Sequence, residues 1–252
     1  PECRGTRTKY LGTGIQRVEE ELSESINGIS LIRMDADSTR KKLSHYRMVK
    51  DMEKKKANIL LGTQMVAKGL DFPDVTVSAI ISADVALNLP DFRSGERAFQ
   101  LFTQLAGRSG RGTLPGKVYI QSFSQDHYVF DYVKKHDYDG FYKKELALRK
   151  ELSYPPFSRL IRIVFSFKTK KDANKTIADI SEKIKGLNIQ GAIVLGPAPA
   201  PVEKIRNMWR WHLILKGNNS KLMRQAASLI LEQVSHMKNV RTEVDVDPIN
   251  LL

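Results

Sequence analysis

The stretch GTQMVAKGLDFPDV, Gly62 to Val75, closes an apolar run and opens a glycine-containing turn; further along stands its counterpart QLAGRSGR, Gln104 to Arg111. Thr63 ends NILLGT, a run of strand type, and Asp71 follows eight residues later. A hydroxyl and unsatisfied backbone N–H groups at a strand end suit a phosphate, and a carboxylate just beyond suits a sugar hydroxyl. The plain alternative has Asp71 capping a turn before Pro73 and Thr63 simply ending a strand. In the second segment Gln104, Arg108 and Arg111 recur at i, i+4 and i+7. That spacing predicts one shared face at the end of an amphipathic helix whose apolar side carries Phe99, Phe102 and Leu105. Gly107, Gly110 and Gly112 remove side chains from around two guanidinium groups. Two arginines without an intervening acid repel each other; an anion relieves the repulsion, and planar guanidinium groups suit the charge spread over a transferring phosphoryl group. Against this stands a solvated helix end, where basic residues are common.

Outward from these segments, glycine-bounded apolar runs alternate with amphipathic ones between Gly12 and Phe123. ISLIR, NILLGT, VTVSAIIS and GKVYIQSF read as strands; IQRVEEELSESI puts Ile15, Val18, Leu22 and Ile26 on one helical face, and 40–55 and 94–107 also read as helices. Thr13 and Gln16 stand at capping-box spacing. Strands alternating with helices predict an α/β fold, a mostly parallel sheet covered on both faces, with ligands at the carboxyl ends of its strands, where Thr63 and Asp84 would lie. The charged segment from Asp131 to Glu151 reads as one or two exposed helices, and YPPF, Tyr154 to Phe157, breaks the pattern. Beyond it the order is strand 158–167, helix 171–185, strand 190–196, a proline-rich loop, strand 207–216, helix 219–236 and strand 240–246. That is the split βαββαβ order of a smaller ferredoxin-like α+β domain. Its first helix sets Ala173, Ile177, Ile180 and Ile184 on one face, and its second is apolar at Leu222, Ala226, Leu229, Ile230 and Val234.

The 252 residues are 41% hydrophobic, enough for more than one buried core. One cysteine, Cys3, excludes a disulfide scaffold, and no apolar run is long enough to span a membrane, which together predict a reducing, cytoplasmic setting. The start PECRGT, without an initiator Met, suggests a piece of a longer polypeptide. The formal net charge is +13, with more than half of the excess in the shorter stretch beyond Lys150. Such a surface favours a polyanion, bound in a salt-dependent way. Several motifs carry less. PGKV, Pro115 to Val118, lacks the earlier glycine and the following hydroxyl of a Walker A loop, and no Walker B box occurs. DADST (Asp35–Thr39) and DVDP (Asp245–Pro248) open like Ca²⁺ loops but do not continue with the required Gly and Glu, so both read as turns. The five histidines form no helical pair at metal spacing. Trp209 and Trp211 share one face of an alternating strand, open to base stacking or to the core.

LGTQMVAKGLDFPDV and QLAGRSGR resemble motifs V and VI of superfamily 2 helicases. GTGIQRVEEEL, RMDADST, LPDFRSGER, PGKVYIQSF, YPPFSRLIRI, LGPAPAPVEKIRNMWRWHLILK and DVDP are more specific and are similar, end to end, to the PriA family of primosomal replication-restart helicases. The resemblance implies a remnant of a zinc-binding module at 1–8, a RecA-like helicase lobe 2 at 9–151, and a PriA-type C-terminal domain at 152–252. It implies a cytoplasmic ATP-dependent 3′ to 5′ DNA helicase that reloads replication at stalled forks, using ATP and Mg²⁺. Arg111 would be the arginine finger, Arg108 a second γ-phosphate contact, and Gln104 a nucleotide-side or coupling residue. Asp71 and Gly69 would meet the nucleotide, and Thr63 and Lys68 the DNA. Cys3 would be one zinc ligand whose companions lie elsewhere, since four-coordinate zinc cannot be built from one thiolate. Lys221 and Gln225, at i, i+4 on a helix start, would hold the acidic tail of single-stranded DNA-binding protein, and other primosomal proteins would be partners. Where the family has Gly-x-Gly-Thr-Glu, this chain has Gly12-Thr13-Gly14-Ile15-Gln16, which puts the role of that polar pair in doubt. The chain alone should hydrolyse no ATP, because the Walker A and B groups are missing. Two alternatives stay open: an autonomous binding module without motor activity, and a superfamily 2 translocase acting on RNA.

Overall fold

The computed structural model describes residues 14–35, 38, 43–63, 70, 72–110 and 115–252. The chain divides into two compact units, Pro1–Asn88 with Gly95–Tyr138, and Leu89–Ser94 with Asp139–Leu252.

The first unit alternates helix and strand: α1 (Ile15–Ser25), β1 (Leu31–Met34), α2 (Ser44–Glu53), β2 (Ile59–Gly62), β3 (Val77–Ile80), the single turn α3 (Asp84–Leu87), α4 (Ser94–Ala106), β4 (Lys117–Ile120) and α5 (Tyr128–Lys135). β1 pairs in parallel with β2 from Leu31↔Ile59 to Met34↔Gly62. β3 pairs in parallel with β4 from Val77↔Lys117 to Ile80↔Ile120. Parallel neighbours need a crossover, and α2 and then α3 with α4 provide the two. The expected single sheet is thus, among the described residues, two parallel pairs. Nor is every face covered, because Val77 and Tyr119 stand 55% and 57% exposed on one side of β3 and β4. The capping-box expectation also changes: Gly14 occupies the N-cap of α1 without a side-chain hydrogen bond, and Thr13 lies outside the described residues.

The apolar side of α4 behaves as its spacing predicts. Phe99 and Phe102 are buried, and Phe102 stacks on Phe130 at 5.8 Å between ring centroids. α5 brings Val129, Phe130 and Val133 into this core, so the charged segment is not simply an exposed helix. Each such buried side chain contributes about 1.5–3 kcal/mol relative to exposure.

The second unit holds α6 (Tyr138–Glu151), β5 (Arg159–Phe167), α7 (Lys170–Lys185), β6 (Ile193–Ile205), β7 (Met208–Gly217), α8 (Ser220–Ser235) and β8 (Arg241–Val246). Its sheet runs β6-β7-β5-β8, antiparallel at each pairing, which is the ferredoxin-like order read from the sequence. Ile161, Ile163, Phe165 and Phe167 of β5 face the apolar stripes of α7 and α8, Ala173-Ile177-Ile180-Ile184 and Met223-Ala226-Ala227-Ile230-Val234. Thr169 caps α7 by accepting a hydrogen bond from the Asp172 N–H at 3.1 Å. Two expectations shift. The proline-rich loop is strand: β6 continues through Pro197, Pro199 and Pro201, with register shifts. It can do so because it lies at the sheet edge, where a missing N–H costs no ladder bond. In α8 the inward residue is Met223, while Leu222 is half-buried and Leu229 is 38% exposed.

Candidate functional site

β2 ends at Gly62, and Thr63 stands exposed just past it, at the carboxyl end of the strand as expected. Leu70 is buried, and the chain then turns through the hydrogen bond from Val75 N to Phe72 O at 3.1 Å. α4 delivers the second segment. The helix stops at Ala106, with Gly107 N donating to Thr103 O at 3.1 Å and Arg108 N to Leu105 O at 3.0 Å. Gln104 is therefore the last of its series inside the helix, and Arg108 lies past the helix end, so the expected helical face stops at Gln104. Past the helix end the chain turns further at Gly110, which takes φ +77°.

The two segments are joined by hydrogen bonds. Arg108 Nη1 donates to Leu70 O at 2.7 Å, and Gly110 N donates to Val75 O at 3.1 Å. Lys117 N extends the same seam by donating to Thr76 O at 2.8 Å. Arg108 is half-buried beside the turn, and Gln104 is exposed on α4. Gly110 does not serve chiefly to clear room for a guanidinium. A Cβ there would lie 2.5 Å from Gly116 N, and one on Gly116 would lie 2.4 Å from Ser109 C, so the backbone passes directly over itself. Nothing in the sequence reading pointed to Gly116 or to the Leu70 and Val75 carbonyls, since a main-chain acceptor has no residue-type signature. Arg111, Asp71, Gly69, Lys68, Gly112 and Cys3 lie outside the described residues.

Asp84, placed by the sequence at a strand end, is occupied structurally. Its carboxylate accepts hydrogen bonds from Ser122 Oγ at 3.0 Å, Phe123 N at 3.0 Å and Ser124 N at 3.2 Å. Desolvation works to raise its pKa, but these bonds together hold the carboxyl below the usual value. It fixes the loop after β4, and both of its carboxylate oxygens are engaged there.

On the second unit, a pocket of about 570 Å³ is lined by Lys221, Arg224, Gln225, Leu222 and Leu229 among others. The structure thus brings Lys221 and Gln225 together, adds Arg224, and sets two leucines beside them. The helix N-terminus contributes less than its position suggests, because Asn219 Oδ1 already accepts from Lys221 N at 3.0 Å and Leu222 N at 3.1 Å. An anion here would be held by side chains. Trp209 and Trp211 pack against the hydrophobic core, with Lys170 and Lys204 over the Trp209 ring at 4.9 and 5.3 Å, so the core reading prevails over base stacking. Asp35 forms a turn with Ser38, whose N–H it accepts at 2.7 Å, and Asp247 pairs with Arg159 at 2.8 Å, as turns rather than ion loops. Among the described residues no group of three His, Cys, Asp or Glu could hold a metal, and no helix is long and apolar enough to cross a membrane.

Comparison with known proteins bears on both places. Residues 4–113 match the helicase conserved C-terminal domain, and residues 150–249 match the primosomal protein N C-terminal domain. Over 98% of its length the chain is 39% identical to the replication restart protein PriA of Bacillus subtilis, covering 31% of that protein. The chain belongs to the PriA family. PriA of Synechocystis is 37% identical over 100% of the chain and 30% of its own length, and PriA of Borreliella burgdorferi is 35% identical over 100% and 38%. The chain therefore spans about a third of the length of these PriA relatives. Within the PriA match, the Leu70–Arg108 seam falls in the helicase part and the Lys221–Gln225 pocket in the primosomal C-terminal part.

Proposed function

We propose that this chain is the C-terminal part of an ATP-dependent 3′ to 5′ DNA helicase of the PriA family that acts in replication restart. The observation that carries the reading is the seam between the two signature segments, in which Arg108 Nη1 is held by Leu70 O at 2.7 Å. It puts a cationic, planar donor set beside Leu70, just before the Phe72–Val75 turn, with the Gln104 amide exposed on the helix that precedes it. Cationic and amide donors beside such a turn fit the oxygens of a triphosphate. In this reading Arg111 meets the transferring phosphoryl group, Arg108 assists and ties the loop, and Gln104 relays between them and the nucleotide. Asp71 and Gly69 hold the nucleotide, and Thr63 and Lys68 the DNA backbone. Bound ATP with Mg²⁺ would supply the phosphoryl-transfer chemistry; this chain contributes one wall of its site. It carries no Walker A or B groups and so hydrolyses nothing alone. Cys3, its one cysteine, needs zinc ligands from outside this sequence.

The Lys221, Arg224 and Gln225 pocket, with Leu222 and Leu229 on its wall, suits an acidic peptide carrying an apolar residue, the chemistry of the tail of single-stranded DNA-binding protein. Other primosomal proteins are further partners in this reading. The test is Arg111→Ala in the full-length protein. DNA-stimulated ATP hydrolysis should fall by about 10³-fold or more with DNA affinity nearly unchanged. An unaltered rate would remove Arg111 from this role.

A further inference from the structure

β5 is buried on both faces. One carries Ile161, Ile163, Phe165 and Phe167 into the core beneath α7 and α8; the other carries Leu160, Arg162, Val164 and Ser166, each 7% exposed or less. An arginine 4% exposed inside a sheet is costly unless its donors are met. Arg162 Nη1 donates to Leu252 O at 2.8 Å, yet Nε and Nη2 have no hydrogen-bond partner. Those two atoms form the side-on edge of the guanidinium, a pair of parallel N–H donors that matches two oxygens of one anion.

The neighbours on this face share the deficit. In the antiparallel register of β5 and β7, His212 lies opposite Val164 and Arg210 opposite Ser166, so both stand on the Arg162 side of the sheet. His212 is a diagonal neighbour of Arg162, within reach of a long side chain. His212 Nδ1 and Arg210 Nη1 are likewise buried without a partner. Arg210 and His212 are half-buried, whereas Arg162 is closed off, so the cluster has a deep end and a more open one. Burial first, and then the charge of Arg210, pull the Arg162 guanidinium below its ordinary value, while Asp245, Asp91 and Glu243 oppose this. None of those three carboxylates makes an ion pair or hydrogen bond with Arg162 among the described residues. Burial and the charges of Arg162 and Arg210 also lower the pKa of His212. The face thus holds two guanidinium groups and a His212 pushed toward its neutral form, with Arg162 Nε and Nη2, Arg210 Nη1 and His212 Nδ1 buried and unpartnered, while Asp245 and Glu243 stand on β8 opposite Arg162 and Val164.

We propose that Arg162, Arg210 and His212 form a binding site for a phosphate-type oxyanion, seated against the side-on edge of Arg162 with Arg210 and His212 supplying further donors. Donors from three side chains suit a tetrahedral group with several acceptor oxygens better than a flat carboxylate. The source is inorganic phosphate or a backbone phosphodiester of nucleic acid, which share this chemistry. The site is separate from the Leu70–Arg108 seam and does not depend on the motor reading.

The experiment follows the His212 imidazole of the chain by NMR, identified by its loss in His212→Asn, while inorganic phosphate is added against chloride at matched ionic strength. A saturable shift and a raised His212 pKa with phosphate but not chloride are expected. Arg210→Gln and Arg162→Gln should each weaken phosphate by about tenfold or more, as for loss of one hydrogen bond to a charged group. Arg162→Lys should not restore binding, because an ammonium lacks the two-donor edge. If Arg162→Gln does not fold, Arg210→Gln carries the test alone. Displacement of phosphate by a thymidine oligonucleotide identifies the phosphodiester source, and saturation without displacement the small anion. A His212 signal indifferent to both probes, or an Arg210→Gln chain that binds phosphate like the parent, overturns the proposal.

Discussion

Gly107 and Gly110 look alike in the sequence, and the structure predicts opposite outcomes when each becomes alanine. At Gly110 the backbone is left-handed, φ +77°, which costs a residue with a Cβ about 1–2 kcal/mol. The new carbon would also lie 2.5 Å from Gly116 N and 2.9 Å from Gly116 Cα. Those are backbone atoms, so the strand-entry segment must move, and overpacking of this kind costs about 1–3 kcal/mol. Gly110→Ala should therefore destabilise the first unit by about 2–5 kcal/mol. At Gly107 the nearest atoms would be Thr103 O at 3.6 Å and Gln104 O at 3.7 Å, ordinary contacts. Gly107→Ala should be neutral or stabilising by up to about 1 kcal/mol, by narrowing the unfolded ensemble. Amide hydrogen exchange across α4 reads the change in the correct unit. Both tryptophans, Trp209 and Trp211, lie in the other unit, so their fluorescence in urea is an internal control that should not move. Protection of α4 unchanged in Gly110→Ala, or equal losses in the two variants, would refute the backbone-crossing account.

Lys221→Ala should weaken a short acidic peptide ending in a free carboxylate by about tenfold, one charge-assisted contact; equal affinities by calorimetry would exclude Lys221 from that pocket. His212 has a depressed pKa in the folded chain, so the unfolded chain takes up its proton first as pH falls. Its contribution to stability is fully present above the ordinary value of 6.5 and is lost as pH drops through the folded value, with Arg162 and Arg210 facing it and Asp245, Glu243 and Asp91 acting on Arg162. His212→Asn should flatten urea midpoints of the second unit across that window in phosphate-free buffer, and an unchanged slope would contradict the assignment. The chain by itself should release no phosphate from ATP above background and should carry no stoichiometric zinc; DNA-stimulated turnover or about one zinc per chain by elemental analysis would sink either expectation.

The second unit was legible because its periodicity switches between two and three to four residues in the βαββαβ order, and the observed strand order β6-β7-β5-β8 is the one that order predicts. Its misreadings have physical causes. Prolines at 197, 199 and 201 signal a loop only where an N–H is required, and an edge strand does not require one. In α8 the larger hydrophobes drew the predicted stripe toward Leu222 and Leu229, but the sheet accepts the stripe begun by Met223 and continued by Ala226, Ala227, Ile230 and Val234. The displaced leucines then fall beside Lys221 and Gln225 in the pocket. An apolar residue that sequence assigns to the core is thereby part of a candidate recognition surface.

The first unit was legible as side chains and illegible as main chain. Thr63 and Gln104 stand where strand and helix periodicity put them, and Arg108 lies past the point where α4 ends at Ala106. Past that point the geometry is set by carbonyls and by a glycine crossing: Leu70 O, Val75 O and the Gly110–Gly116 approach. Most hydrogen bonds in a folded chain involve backbone on at least one side, so a charged residue read for its ligand can have a peptide carbonyl as its first partner. For Arg108 that partner is informative. Held through Nη1 by Leu70 O, the guanidinium cannot shift without either breaking a 2.7 Å hydrogen bond or carrying Leu70 along. Gly110 N donates to Val75 O in the same seam, so as long as both hydrogen bonds are kept, the end of α4 and the Leu70 and Val75 carbonyls move together.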